Sequence, residues 1–516
     1  MGKATAGERE TVLRLSGITK RFGPLLANDD ISLTLHRGEI LGLLGENGAG
    51  KTTLMNILFG HYVADAGEID VEGKILPPGQ PAVALAAGIG MVHQHFTLAE
   101  NLTVLDNIVL GTESLWQFSS NSQKAWARIQ QLAKEFGLEV DPQAIIASLS
   151  VGERQRVEIL KALYREAKIL VLDEPTAVLT PQESTALFET LKRFVAKGLS
   201  IIFISHKLGE ILAACSRVIV LRGGKLVAER KVEGATRAEL AELMIGRSIP
   251  QAKAEAQDAG EVVLKLQGVS ARHMSQSLSD ITFDIRSGEI LGVAGVSGNG
   301  QSLLADVVSG VVAPVQGTMV LSGEPVSRLS PRAMISRGVA RIPEDRHAEG
   351  LISDMSITEN VISERYRSAK FATRGFINWK KARNFAQEII AAYEVKCPSP
   401  EARVRLLSGG NMQKLILGRV MAHDPCLVLA NQPTRGLDVG AVNYVHEQLL
   451  AARKRGAAIL LISEDIDELL SLSDRVAVMF GGQLSPASPR ENVRIKDLGL
   501  MMAGHGFSSG GQSNAA

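Results

Sequence analysis

The run Gly45-Glu46-Asn47-Gly48-Ala49-Gly50-Lys51-Thr52 matches the spacing G-x-x-x-x-G-K-[ST], which suits polyphosphate binding. Gly45, Gly48 and Gly50 let backbone N–H groups turn inward around phosphate oxygens, and the helix start behind them favours anions. Lys51 adds a point charge and Thr52 offers a hydroxyl to Mg²⁺. Further on, the apolar run Ile169 to Leu172 ends in two carboxylates, Asp173 and Glu174. Asp173 can hold Mg²⁺ through its water shell, while Glu174 is placed to polarise an attacking water. Another apolar run, Ile201 to Ile204, leads through Ser205 to His206, where a γ-phosphate contact is feasible. Ahead of the carboxylates, Leu149-Ser150-Val151-Gly152-Glu153-Arg154-Gln155-Arg156 is a small-residue turn leading into a helix. His93 and His95 invite a metal reading, but two histidines without further ligands make a weak site.

These residues can meet only if strands deliver them to one edge. Apolar runs of four to six residues end in Gly-rich or acidic turns and alternate with helical patterns such as Glu153 to Arg165. The alternation predicts an α/β fold, with strands buried on both faces and crossover helices. Residues 95 to 165 are more helical and predict a lobe beside the core.

The pattern occurs twice. Gly38-Glu39-Ile40-Leu41-Gly42 recurs as Gly288-Glu289-Ile290-Leu291-Gly292, an offset of 250, and Gly295, Gly298 and Gly300 keep that offset. Leu407-Ser408 and Gln432-Pro433-Thr434 answer Leu149-Ser150 and Glu174-Pro175-Thr176 at an offset of 258. Two tandem domains are expected, 1–246 and 262–503, joined by a polar linker 247–261, with a Gly/Ser-rich tail, 504–516, expected to be disordered.

The copies differ at the chemistry. Gln301 replaces Lys51, Asn431 and Gln432 replace Asp173 and Glu174, Glu464 stands where His206 stands, and Glu344 aligns with Gln94. Ser302 keeps the hydroxyl of Thr52. The second copy also keeps Ser408-Gly409-Gly410 and Asp438, where the first has Val151 for Gly409 and Thr180 for Asp438.

Composition narrows the role. The chain has 516 residues and a net charge of +1, which gives no field strong enough to imply nucleic-acid or lipid binding. No apolar window reaches the length of a membrane span, and the first residues lack a signal peptide's apolar core. Cys215, Cys397 and Cys426 show no metal-ligand spacing and fit a reducing compartment. A cytoplasmic protein is expected.

The order of GENGAGKT, Gln94, LSVGERQR, ILVLDEPT and ISH is similar to that of an ATP-binding-cassette (ABC) subunit. That resemblance implies two tandem P-loop ATPase domains, each with a mainly parallel sheet, flanking helices, an antiparallel β region and a helical lobe. It implies ATP and Mg²⁺ as cofactors, with Asn47 and Thr53 among the phosphate-loop contacts. By the same resemblance Phe22 stacks on adenine, although Phe22 alone would be read as core. Gln94 would sense the γ-phosphate, join Thr52 and Asp173 at Mg²⁺ and abut a transmembrane partner. The family's head-to-tail pairing would join the first loop, Glu174 and His206 to Ser408, Gly409, Gly410 and Asp438. It would leave a degenerate site built from Gly295, Gly298, Gly300, Gln301, Ser302, Asn431, Gln432 and Glu464 with Ser150 and Gly152.

A tandem cassette without a membrane span resembles the ATPase subunit of simple-sugar-type importers. VHQHFTLAENLTVLDNI, DEPTAVLTPQE, GNGQS and PEDRHAEGL are similar to the nucleoside-importing branch. This implies two transmembrane permease subunits and an extracytoplasmic substrate-binding protein as partners. It places the chain at the cytoplasmic face of the membrane, without direct contact with the transported substrate. A sugar such as ribose or galactose is the alternative cargo. A soluble tandem cassette acting on ribosomes or nucleic acid is the alternative class, disfavoured by the short linker, near-neutral charge and degenerate second site.

Overall fold

Strand Ile40–Gly45 has six buried residues in succession, the pattern of a strand covered on both faces. It lies within a six-stranded sheet ordered Lys225–Lys231, Arg217–Arg222, Ile40–Gly45, Ser200–Ile204, Ile169–Asp173, Ile89–Val92. All neighbours run parallel except the edge pair Lys225–Lys231 and Arg217–Arg222. Gly45 is in register with Leu221, while Leu43 and Asp173 are both opposite Ile204. Three strands therefore end together, at the edge where open α/β sheets take ligands.

The structure is a computed structural model that describes residues 10–93, 97–112, 122–176, 179, 181–205, 207–246, 253–255, 257–274, 276–327 and 329–507. The chain divides into two units, Met1–Ile249 and Pro250–Ala516. In the second unit the sheet order is Val339–Ile342, Leu427–Asn431, Ala458–Ser463, Ile290–Ala294, Arg475–Phe480, Gln483–Leu484. Each unit adds a four-stranded antiparallel sheet, led by Thr11–Phe22 with Leu25–His36 and by Val262–His273 with Gln276–Arg286. The α/β expectation holds for both.

Apolar contacts tie each antiparallel sheet to the main one. In the first unit Leu13, Leu15, Ile31 and Leu33 join Leu41, Leu43, Leu54 and Ile202 in one buried cluster. Each such side chain contributes roughly 1.5–3 kcal/mol on burial. An ion pair repeated in both units sits beside this core. Arg217 reaches Glu39 at 2.8 Å, and Arg475 reaches Glu289 at 2.5 Å. Both glutamates are buried, so removing either arginine would leave a carboxylate unpaired out of water.

Helices Val104–Val109, Ser122–Phe136 and Val151–Tyr164 form the helical part of the first unit, answered by Ile357–Ile362, Trp379–Ala392 and Gly409–Met421. The extra residues of the second copy fall in two places. Val92 and Ile342 end equivalent strands at an offset of 250, the helix caps Thr103 and Ser356 differ by 253, and the bridged residues Ile145 and Arg403 differ by 258. The first gain falls in the stretch that holds the helical turn Arg346–Gly350, and the second in the stretch that holds the hairpin Ala372–Thr373 with Phe376–Ile377.

The segment expected as a linker is anchored in its later part. Ala254 N donates to Ser471 O at 3.0 Å, Arg453 Nη1 to Glu255 O at 2.9 Å, and Gly260 N to Ser287 O at 2.9 Å. At the other end, Phe507 packs 5.8 Å from Phe480, while residues 508–516 lie outside the described residues. Among the described residues no helix is long and apolar enough to cross a membrane.

Candidate functional site: two phosphate loops with different linings

Strand Ile40–Gly45 passes straight into the first phosphate loop, and helix Lys51–Leu58 follows with Gly50 as its cap. Gly50 has φ 97°, and a Cβ there would lie 2.3 Å from Ala27 O. Only glycine fits. The buried Asn28 fastens the turn, donating from Nδ2 to Gly50 O at 3.1 Å. Gly45 is buried, whereas Asn47, Gly48 and Thr52 are exposed and Thr53 is half-buried. The mouth of the cradle is therefore open to a ligand. Lys51 is buried and donates from Nζ to Gly45 O at 2.7 Å and to Glu46 O at 3.0 Å.

Asp173 and Glu174 emerge at the end of strand Ile169–Asp173, with Ser200–Ile204 between it and Ile40–Gly45 in the sheet. Burial pushes the Asp173 carboxyl above its ordinary 3.8, the Glu174 charge adds to the rise, and Lys51 opposes it. A cation beside Asp173 would reverse that shift. Glu174 takes a left-handed backbone, φ 47°, while its N–H donates to Ile204 O at 2.9 Å. Such strain in a non-glycine residue persists only where the surroundings hold it, often at working sites.

In the second unit the same scaffold carries other groups. Gly298 and Gly300 keep positive φ, 92° and 109°, against 82° and 97° at Gly48 and Gly50. Gln301 is buried like Lys51, and its Nε2 donates to Val296 O at 2.8 Å. This neutral amide takes the role that Lys51 plays towards Glu46 O. Ser297 N donates to the Glu464 carboxylate at 2.7 Å, and Ser302 Oγ to Glu344 at 3.2 Å. Glu344 is also ion-paired with Arg435. Asn431 is buried at the strand end, and Gln432 has φ 49°.

The two Leu-Ser turns also differ in charge. Ser150 caps helix Val151–Tyr164, and its Oγ donates to Glu153 at 2.7 Å, so the hydroxyl proton is committed to a carboxylate. A Cβ on Gly152 would come within 3.0 Å of Glu183 Oε1, which places a second carboxylate at this turn. Ser408 caps helix Gly409–Met421 and instead accepts from Asn411 Nδ2 at 2.9 Å. Lys396 N, donating to Asn411 Oδ1 at 2.8 Å, fixes that amide's orientation. The Ser408 O–H is thus left to donate elsewhere. The half-buried Arg346 lies alongside, 3.9 Å from where a Gly409 Cβ would be, and Gly410 faces only Ala441.

Several sequence expectations need adjusting. Phe22 is 41% exposed at a strand end, with Tyr62 edge-on at 5.5 Å and Lys20 Nζ 5.5 Å over the ring, so its reading as a core residue fails. Asp438 caps helix Val439–Lys454, its Oδ1 accepting from Ala441 N at 2.8 Å. His93 sits 6.5 Å from the stacked ring of His61, and burial lowers its pKa. Gln94, His95, Thr180 and His206 lie outside the described residues. Among the described residues no three His, Cys, Asp or Glu side chains group as a metal site.

Sequence reasoning missed the polar ties beneath the site. Gln155 Nε2 donates to Pro175 O at 2.6 Å, and Gln413 Nε2 to Pro433 O at 2.7 Å, both buried. Each fastens a Leu-Ser helix to the turn that follows Glu174 or Gln432. Glu210 accepts from Thr176 at 2.5 Å and from Ser205 at 2.7 Å, joining the carboxylate turn to the turn before His206. The matched recurrence of Gln155 with Gln413 at the repeat's own offset was the available signal.

A family profile described as ABC transporter matches residues 28–177 and 278–435. The chain belongs to the ABC transporter family. Its ATP-binding cassettes are ATPase domains, and the cradle around Gly50 and Lys51 fits the polyphosphate that such domains take. Among relatives, the nucleoside import ATP-binding protein NupA of Lactococcus lactis is 42% identical, over 96% of this chain and 98% of that protein. The guanosine import ATP-binding protein NupO of Bacillus subtilis is 42% identical, over 98% and 100%. The glucose import ATP-binding protein TsgD13 of Haloferax volcanii is also 42% identical, over 96% of each.

Proposed function

We propose that this ABC chain is the ATP-hydrolysing subunit of an importer that takes up nucleosides through separate membrane permeases. The observation that carries this reading is likeness along essentially the whole chain to two nucleoside-import ATP-binding proteins, each 42% identical. Two permease subunits and an extracytoplasmic binding protein would complete the assembly, with the cassettes on the cytoplasmic face and out of contact with cargo. A simple sugar is the second reading, favoured by the equally similar glucose-import relative.

Hydrolysis is assigned to one composite site. Lys51 and the loop amides would hold the phosphates, with Phe22 against the base. Thr52 and Asp173 would hold Mg²⁺, which supplies charge neutralisation to the β- and γ-oxygens when bound. Glu174 would polarise the water, with Gln94 and His206 reading the γ-phosphate. In head-to-tail pairing Ser408, Gly409, Gly410 and Asp438 would close over that nucleotide from the other unit. The lining of the two turns supports this choice. The Ser408 turn offers an O–H and the nearby Arg346 guanidinium, whereas the Ser150 turn is lined by Glu153 and Glu183. A polyphosphate would be drawn to the first and repelled by the second.

Affinity purification from detergent-solubilised membranes tests the importer. Hydrophobic permease subunits should accompany the chain, and ribosomes should not. Uptake of labelled nucleoside, compared with labelled pentose, in cells lacking the chain then tests the cargo. Loss of pentose uptake alone would move the assignment to a sugar.

A further inference from the structure

The second phosphate loop is an intact cradle with an altered lining. Its glycines hold the φ values of the first loop, and helix Gln301–Val308 follows it directly. Gln301 Nε2 keeps the contact to Val296 O that holds the loop's shape. The position matching His206, where a third phosphate would be read, carries a carboxylate, and the positions matching Lys51 and Asp173 carry neutral amides. Glu464 Oε1 already takes the Ser297 N–H at 2.7 Å. Gln301 is 6% exposed and Asn431 is 2% exposed, and each has a buried amide oxygen with no hydrogen-bond donor among the described residues. The carboxylate and the orphaned amide oxygens oppose a terminal phosphate, and no lysine is present to offset them. They suit ordered water. The helix-start end keeps its backbone N–H groups, and the Ser302 hydroxyl there donates to Glu344 at 3.2 Å.

We propose that the second loop is a nucleoside diphosphate site, in which the Glu464 carboxylate occupies the place a γ-phosphate would take. A triphosphate must displace Glu464 from the Ser297 N–H and bring its own charge beside that carboxylate. A diphosphate needs neither change. Like charges so juxtaposed disfavour the triphosphate by about tenfold or more in affinity. The proposal rests on the reading of both units as nucleotide-binding cassettes, and the test separates the two.

The full chain carrying Glu174→Gln, so that ATP is not consumed, is dialysed with Mg²⁺ and radiolabelled ADP or ATP. ADP should fill two sites per chain, whereas ATP should fill one, with any second site about tenfold or more weaker. Adding Glu464→Gln should bring ATP at the second site to within about threefold of ADP, while Glu464→Asp keeps the preference. Two equally tight ATP molecules without the Glu464 change, a single ADP per chain, or an unchanged preference in a folded Glu464→Gln chain would each overturn the proposal. Stoichiometry without the Glu464 change decides the matter alone if Glu464→Gln does not fold. Failure of the first loop to take ATP would instead overturn the ATPase reading.

Discussion

Glu174 and Gln432 share one strained backbone, with φ of 47° and 49°, and each donates its N–H to the strand beside it, to Ile204 O and Ile462 O. At this position the second cassette has therefore kept the backbone geometry that presents Glu174 and exchanged its carboxylate for an amide. The two cassettes differ there in side-chain charge on a matching frame.

Restoring one group should consequently restore little. Gln432→Glu leaves Gln301 and Asn431 in place of lysine and aspartate, and groups that act as a unit are not rescued singly. Steady-state phosphate release should stay within about twofold of the parent chain. A larger rise would mean that the second loop already binds ATP productively.

Asp173 links the site to stability. A carboxyl whose value rises on folding contributes stability that is present below 3.8 and lost as pH climbs through the raised value. At neutral pH, without metal, the first unit bears that full penalty. Asp173→Asn should therefore raise the thermal midpoint in EDTA at pH 7 and flatten its dependence on acid pH, while abolishing ATP turnover. A lowered midpoint would contradict burial as the dominant cause. Asn431, 2% exposed at the matching strand end, shows that the frame accepts the amide.

Gln155 and Gln413 donate to buried carbonyls that have no other donor among the described residues. Replacing either by alanine leaves Pro175 O or Pro433 O unpaired, at about 1–3 kcal/mol. Denaturant unfolding should register that loss for both. Only Gln155→Ala sits beside Asp173 and Glu174, the proposed catalytic carboxylates, so only it should also lower turnover.

Much of this was legible in the sequence, because phosphate chemistry fixes residue types at short spacing. The Gly45 to Thr52 run, the acidic strand end and their degenerate copies could be read directly. So could the α/β alternation, since strands buried on both faces have no polar alternation to hide them. Long-range polar partners could not be read. Nothing local in Glu464 says that it accepts from Ser297, 167 residues earlier. Nor does Glu183 announce itself beside Gly152. The anchoring of Ala254 and Glu255 was hidden for another reason, because a polar segment held by its backbone has the composition of a free linker.

The central claim is that one carboxylate runs the enzyme, and steady-state phosphate release by Glu174→Gln tests it most directly. Turnover should fall by roughly two to four orders of magnitude, the scale of losing a general base. A rate within a few-fold of the parent chain would contradict the account.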